Sequence, residues 1–171
     1  MREGITSEKL SDISTVIKDF KYDKSNRVFS DFSAAPITDR KIKISTYGQL
    51  SAQGKNCRLL IRLNNDTANY KSYFNWGGNG AGEGDWDTTG FYVGRNKDGN
   101  DCTFSLEYTL TINSDSLKIL GSGMANFVDD NRVFGCESHG YFNTPIRSLT
   151  SIELIFLDNG IASWATKIYS L

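Results

Sequence analysis

Acidic side chains at alternate positions are the first feature of this sequence that could do chemistry. Glu83, Asp85 and Asp87 lie two residues apart within NWGGNGAGEGDWD, residues 75–87, a stretch that also holds five glycines. Glycosidases use two carboxylates that flank a sugar bond, so such acids raise the question of hydrolysis. Acids this close along a chain are more often solvated loop charges, and we expect neither catalysis nor a metal ion here.

The other catalytic patterns are weaker. A dinucleotide-binding loop would need a glycine where Glu83 stands, and no GK[ST] follows the glycines, so a phosphate loop is excluded. The single histidine, His139, follows Cys136 by three residues. Positions three apart on a strand face opposite sides, which places this pair poorly for nucleophilic catalysis. The sequence therefore predicts no enzyme and no cofactor.

Aromatic rings with amide and carboxylate neighbours flank the glycines on both sides. This combination is typical of sites for neutral, hydroxyl-rich ligands such as sugars, because a ring stacks on the apolar sugar face while polar groups bind the hydroxyls. The alternative is that Trp76 or Trp86 packs in the core, since half of the side chains on a strand face inward. The candidate ligand-binding residues are Trp76, Trp86, Tyr73, Tyr92, Asn75, Asp85 and Asp87.

Size and charge limit the remaining function classes. A chain of 171 residues suits one domain, and a net charge of -1 gives no overall basic field for nucleic acid. No apolar run resembles a signal peptide or a membrane span. The three cysteines have no CxxC spacing, so we expect buried reduced thiols and neither a zinc site nor a disulfide framework.

The elements that must position these rings are strands. Sixteen glycines, eight tyrosines and only two prolines favour short strands joined by polar turns. Apolar residues alternate with polar ones in KIKI, in RLLIRL and most clearly in TFSLEYTLTI, residues 103–112. Nine or ten such strands, each with one core face, predict an all-β fold, an antiparallel β-sandwich of jelly-roll type.

Two dipeptides predict tight turns. Asn159-Gly160 lies between two apolar runs and is a strong hairpin signal, because a type I′ turn needs positive φ at both central residues. We therefore expect the last two strands to be antiparallel neighbours. Asp98-Gly99 predicts a second turn, between FYVG and the long alternating strand.

The start of the chain predicts a short helix over residues 6–20. Thr6 or Ser7 could cap it, and its apolar residues fall at spacings of three, four and three, a coiled-coil seam. A helix this short needs a partner surface, either the rest of its own domain or other copies of the chain. We divide the chain into residues 1–22, an N-terminal helical segment, and 23–171, the sandwich. The candidate oligomerisation residues are Leu10, Ile13, Ile17 and Phe20.

Three segments resemble the C-terminal domains of bacteriophage tail fibres and tailspikes. The ending LTSIELIFLDNGIASWATKIYSL is similar to the closing strand pair of these domains, although Ser170 stands where glycine is usual. KIKISTYGQLSAQGKNCRLLIRLNNDTANYKSYF, residues 41–74, is similar to their strand, loop and strand. GITSEKLSD, residues 4–12, is similar to the segment that precedes such heads.

The resemblance implies a homotrimeric virion protein that folds in the host cytoplasm, joins other tail proteins and recognises a polysaccharide on the bacterial surface. It implies neither membrane insertion nor nucleic-acid binding, and it favours a trimeric coiled coil for the N-terminal helix. No binding residue carries over from the family, because the central loops differ. The alternative is a capping or trimerisation domain with the receptor or depolymerase site elsewhere.

Overall fold

The computed structural model of the chain describes residues 15–78, 81–113, 115–130 and 132–171. Within these ranges the chain is all-β, and no helix is long and apolar enough to cross a bilayer. The strands are β1 (Thr15–Ser25), β2 (Arg27–Asp31), β3 (Lys41–Ser51), β4 (Arg58–Leu63), β5 (Tyr70–Gly78), β6 (Ala81–Asp87), β7 (Phe91–Arg95), β8 (Cys102–Ile112), β9 (Ile119–Asp129), β10 (Arg132–Phe142), β11 (Ser151–Phe156) and β12 (Ile161–Ser170).

The strands form two antiparallel sheets of unequal size. The larger sheet has eight strands in the order β1-β12-β3-β8-β9-β10-β5-β6, and the smaller has four in the order β2-β11-β4-β7. Rings from both sheets meet between them: Phe104 on β8 contacts Phe156 on β11 with centroids 5.1 Å apart, and Phe74 on β5 stacks on Tyr92 of β7 at 4.4 Å. The predicted sandwich of two antiparallel sheets is confirmed.

Alternation along the strands decides which residues enter this core. On β8 every second side chain, from Phe104 to Ile112, is buried, and the side chains between them are more exposed. Side chains on one strand point alternately to the two faces, so the apolar row of each strand lies against the other sheet. The alternation predicted for residues 103–112 is confirmed.

Both predicted turns connect the two sheets. Asp98 and Gly99 have φ of 55° and 71°, yet β7 before them and β8 after them lie in different sheets. The expectation that the last two strands are neighbours is wrong, because β11 pairs with β2 and β4 while β12 pairs with β1 and β3.

The second turn also differs in its residues. Positive φ falls on Asp158 (64°) and Asn159 (70°), one position before the pair that the sequence predicts. A Cβ on Gly160 would lie 2.8 Å from the Cys57 Sγ, so a glycine is needed here for close packing.

The predicted N-terminal helix is not present where the structure describes its residues. Residues 15–20 belong to β1, which pairs with β12 and extends across the expected boundary between 22 and 23. Ile17 and Phe20 pack against the sandwich core instead of a helical seam. The remainder of the predicted helix, with Leu10 and Ile13, lies outside the described residues.

The three cysteines are unpaired thiols, as predicted. Cys57 and Cys136 are buried, and Cys102 is partly exposed. Burial raises the pKa of the Cys57 thiol to about 11 and that of Cys136 to about 12. A thiolate is the reactive form of cysteine, so these side chains are inert near neutral pH.

Candidate functional site

The larger sheet has one face that the smaller sheet does not cover, which we call the outer face. Paired residues of antiparallel strands point to the same side, so the register places Trp86, Tyr73 and His139 in one row across β6, β5 and β10 of this face. Trp86 is 69 % exposed, and His139 is exposed beside Tyr73. At least one of the two candidate tryptophans is therefore presented to solvent.

Trp86 and Tyr73 form an aromatic pair. Their ring centroids lie 4.8 Å apart with an interplanar angle of 56°. Gly84 lies beneath the Tyr73 ring, since an added Cβ would collide with that ring. Because Gly84 has no side chain, the Tyr73 ring can lie over it and contact Trp86. The two rings together make one apolar surface on the sheet.

A shallow depression, which we call the glycine groove, adjoins the aromatic pair. Gly135, Gly77 and Gly82 lie side by side on β10, β5 and β6, with no side chains to fill the outer face. The groove has a volume of about 410 Å³, and its rim carries the exposed polar side chains of Asn75 and Glu137. The residues that line it are Asn75, Trp76, Gly77, Gly82, Met124, Gly135, Cys136 and Glu137.

Asp87 anchors the strand that carries Trp86. Its carboxylate is buried, lies 3.2 Å from Nη1 of Arg58 and accepts hydrogen bonds from the backbone N–H and the hydroxyl of Thr89. Arg62 donates from Nε to the Thr89 carbonyl at 2.9 Å. The two arginines, on the same face of β4, hold the chain that follows Trp86 against the smaller sheet. Asp87, a predicted ligand-binding residue, instead fixes the position of β6.

Two of the rings predicted to bind a ligand are buried. Trp76 is only 5 % exposed and faces the core, where it meets Phe134 edge-on at 5.7 Å. Tyr92 is fully buried, and burial raises the pKa of its phenol to about 12. Neither ring can stack on an external ligand, because each lies on the side of its strand that faces the opposite sheet.

The alternate acids do not converge on a reaction centre. Glu83 pairs with Arg95 at 3.3 Å, and an Asp85 oxygen accepts the backbone N–H of Trp86 at 2.8 Å. Asp85 is exposed at the sheet edge. Its carboxylate accepts a backbone N–H that could otherwise pair with a strand of another molecule. Among the described residues no three histidine, cysteine or acidic side chains lie close enough together to hold a metal ion.

Several outer-face residues escaped the sequence prediction. Met124, Val128, Val133 and Tyr47 are all exposed on this face, although each belongs to a strand with a regular alternating pattern. In the sequence, each is an apolar residue at a position where the alternation predicts an outward-facing, polar side chain, as in Met124 between Gly123 and Ala125. The pattern alone could not single them out, because isolated exposed apolar side chains are common.

Comparison of the chain with models of known protein families, and with functionally characterised proteins, finds no match in either case.

Proposed function

We propose that this domain is a non-catalytic, jelly-roll-like head of a phage fibre that binds a glycan of the bacterial surface through its outer face. The aromatic pair stacks on the apolar face of a sugar ring. Asn75 and Glu137, on the rim of the glycine groove, bind hydroxyls of the same or the next sugar. The sequence resemblance to tail fibre and tailspike domains supports the biological setting.

The observation that carries the proposal is the exposure of Trp86 on a rigid sheet. Most of the indole is exposed, so its apolar surface can gain contacts when a ligand covers it, and it lies against Tyr73 beside an open groove. Flat rings with neighbouring amides suit a sugar because they offer a large contact area with little loss of side-chain freedom. The anchored Asp87 fixes the strand before any ligand arrives, which lowers the entropic cost of binding.

The charges near the groove favour a glycan that is not strongly acidic. Glu137 is exposed on the groove rim, and Glu107 lies in the same row two strands away, paired with Lys43 at 2.9 Å. A polyanion would meet the Glu137 carboxylate, and none of the described residues that line the groove is basic. We therefore propose a neutral or amino-bearing polysaccharide.

Binding to an array of bacterial capsular polysaccharides and lipopolysaccharides tests the proposal. Trp86→Ala should lower the signal at least tenfold, and Gly84→Ala should lower it less by displacing the Tyr73 ring. Val133→Ala is the matched control, because it shortens an exposed side chain on the same face. Equal binding by Trp86→Ala and the unmodified protein, with both folded, would reject this site.

A second candidate is a subunit contact, as a capping or trimerisation domain would need. Leu120, Met124, Val128 and Val133 put further exposed apolar side chains on β9 and β10 of the same face. Val128 and Val133 are paired neighbours, and exposed apolar surface also marks protein interfaces. In that case Met124→Glu should dissociate an oligomer in sedimentation experiments. Neither the variant nor the unmodified protein should then bind a glycan.

The predicted homotrimer is tested separately by removing residues 1–14, which leaves β1 intact. Sedimentation equilibrium compares the mass of the truncated and full chains. A change from trimer to monomer on truncation is the outcome that the trimerisation segment requires. A trimer that survives truncation would assign assembly to the sandwich itself.

A further inference from the structure

A second depression crosses the outer face far from the aromatic pair, along β12. Its floor is made by Ala165 and Ser163, whose partners on β3 are Tyr47 and Gln49. On the other side Ala165 pairs with Lys21 of β1. Small side chains on the central strand between longer ones on both neighbours leave a trough, which we call the β12 trough.

The β12 trough consists of adjoining cavities. One of about 450 Å³ surrounds Tyr47 and Ala165, and a second of about 380 Å³ shares Asp23 and Ser163 with it. A third, of about 420 Å³, shares Lys24 and Ile161 with the second. At the opposite end Asp19 and Lys167, 3.4 Å apart, form an ion pair in the next row beyond Ala165. The trough is thus closed at one end and open at the other.

The walls of the trough carry the groups that a sugar requires. Tyr47 is 61 % exposed, and the backbones of β3 and β1 lie two strand spacings apart, about 9.6 Å, on either side of Ala165. Gln49 and Asp23 are exposed along the same walls, and the Ser163 hydroxyl accepts the Gln49 backbone N–H at 3.2 Å. A hydroxyl that accepts one hydrogen bond can still donate its own hydrogen, so Ser163 has a donor to offer a ligand.

The open end is built from strained backbone. Lys24 and Gln53 both have φ of 52°, and Asn159 has φ of 70°. All three line the same cavity at the mouth of the trough. Left-handed conformations are costly for lysine and glutamine, and such residues gather where a surface shape is needed for function.

We propose that the β12 trough is a second saccharide subsite, which holds a distant part of the glycan chain bound at the aromatic pair. Tyr47 stacks on one sugar, while Gln49, Ser163 and Asp23 bind its hydroxyls. The inference rests on the proposed function in naming the ligand as the same chain. Tyr47 and Trp86 lie on one face, five strand spacings apart across the sheet and four residues apart along the strands, about 28 Å in all, so a chain of several sugars reaches both.

Two linked contacts bind more tightly than either alone, because the second forms within the complex of the first. Long fragments of the polysaccharide with the strongest array signal should therefore lose about tenfold in affinity on Tyr47→Ala. Disaccharides from the same polymer should bind the aromatic pair of the Tyr47→Ala protein with unchanged affinity. Tyr169→Ala is the matched control, since Tyr169 lies on the same face of β12 beyond the Asp19–Lys167 pair.

A second measurement keeps the proposal testable when no polysaccharide on the array binds. Glucose, galactose, rhamnose and N-acetylglucosamine are titrated into isotopically labelled protein, and backbone amide shifts are followed. At least one sugar should shift the amides of Gln49, Ser163 and Ala165, and Tyr47→Ala should abolish the shift. If none of the four sugars moves these amides, the trough is not a saccharide subsite.

The outcomes separate the two proposals. Loss of long-chain binding with Trp86→Ala but not with Tyr47→Ala retains the aromatic pair and rejects the trough. Loss with Tyr47→Ala alone retains the trough and rejects the aromatic pair. An oligomer that Tyr47→Ala dissociates, with no change in sugar-induced shifts, assigns the trough to a second copy of the chain and overturns the inference.

Discussion

Trp76 and Trp86 lie on neighbouring, hydrogen-bonded strands and have opposite fates. Trp76 pairs with Glu83 and points into the core, whereas Trp86 pairs with Tyr73 and points to solvent. Glycines lie close to both in the sequence, whereas the acidic residues flank only Trp86. Their difference comes entirely from register, because a shift of one position in the pairing moves every side chain of a strand to the other face.

The same division separates structural groups from solvent-accessible groups across the sandwich. Trp76, Tyr92 and Asp87 hold the sandwich together, while Trp86, Tyr73 and Asn75 remain accessible. Substitutions on the core side should therefore mainly lower stability, and substitutions on the outer face should mainly lower binding.

The largest expected effect is on the core side. Trp76→Ala should lower the free energy of unfolding by about 3–5 kcal/mol, because it leaves a cavity beside Phe134 and removes the ring beneath Lys97, whose Nζ lies 4.7 Å from its centroid. Chemical denaturation monitored by circular dichroism measures the change. A loss below about 1 kcal/mol would mean that the indole is not part of the packed core.

Alkaline pH should lower the free energy of unfolding, because Cys136 is buried on the same core side. The pKa of Cys136 is raised from 9.0 to about 12, mainly by burial, so the folded state favours the protonated thiol. Its contribution is complete below pH 9 and declines as the pH rises toward 12, by roughly 2–3 kcal/mol at pH 11. Denaturation midpoints between pH 8 and 11 measure this decline, which should be shallower for Cys136→Ala.

The anchor of β6 should have an intermediate effect. Asp87→Asn removes the charge that faces Arg58 and should lower stability by about 1–3 kcal/mol. Asp158→Asn is the matched control, because Asp158 is the more exposed partner of the same Arg58 at 3.3 Å. It should change stability by less than about 0.5 kcal/mol. Equal effects of the two substitutions would contradict a specific anchoring role for Asp87.

The smallest effect on stability should come from Trp86. Trp86→Ala removes only the contact with Tyr73 and should lower the free energy of unfolding by less than about 1.5 kcal/mol. Denaturation under the conditions used for Trp76→Ala gives a direct comparison of the two indoles. A loss as large as that of Trp76→Ala would show that Trp86 is a packing residue, and the two faces would not differ.

Most of the fold could be predicted, because a two-residue period is a local signal. Ile42, Ile44 and the apolar row from Phe104 to Ile112 are buried as their alternation predicts. The helix predicted for residues 15–20 is wrong because Ile17 and Phe20 also fit a helical spacing. In the fold, the edge of β12 offers hydrogen bonds that a strand can accept and donate. Tertiary pairing outweighs a helical pattern of only two heptads.

The candidate site could be predicted only in part. Aromatic and amide composition located Trp86, Tyr73 and Asn75, since those residue types are informative wherever they occur. The register that buries Trp76 depends on which strands pair, and the sequence of one strand does not contain that information. The β12 trough was missed for the same reason, because Tyr47 and Lys21 become neighbours of Ala165 only through long-range pairing.

The pairing of β1 with β12 joins Thr15 to Ser170, near opposite ends of the described chain. During synthesis β1 therefore remains unpaired until β12 has left the ribosome. Domains dominated by such distant contacts fold slowly and expose open strand edges meanwhile. Nascent copies emerging together on one messenger RNA could exchange β1 strands during this interval, so the yield of correctly folded protein should fall as the rate of expression rises.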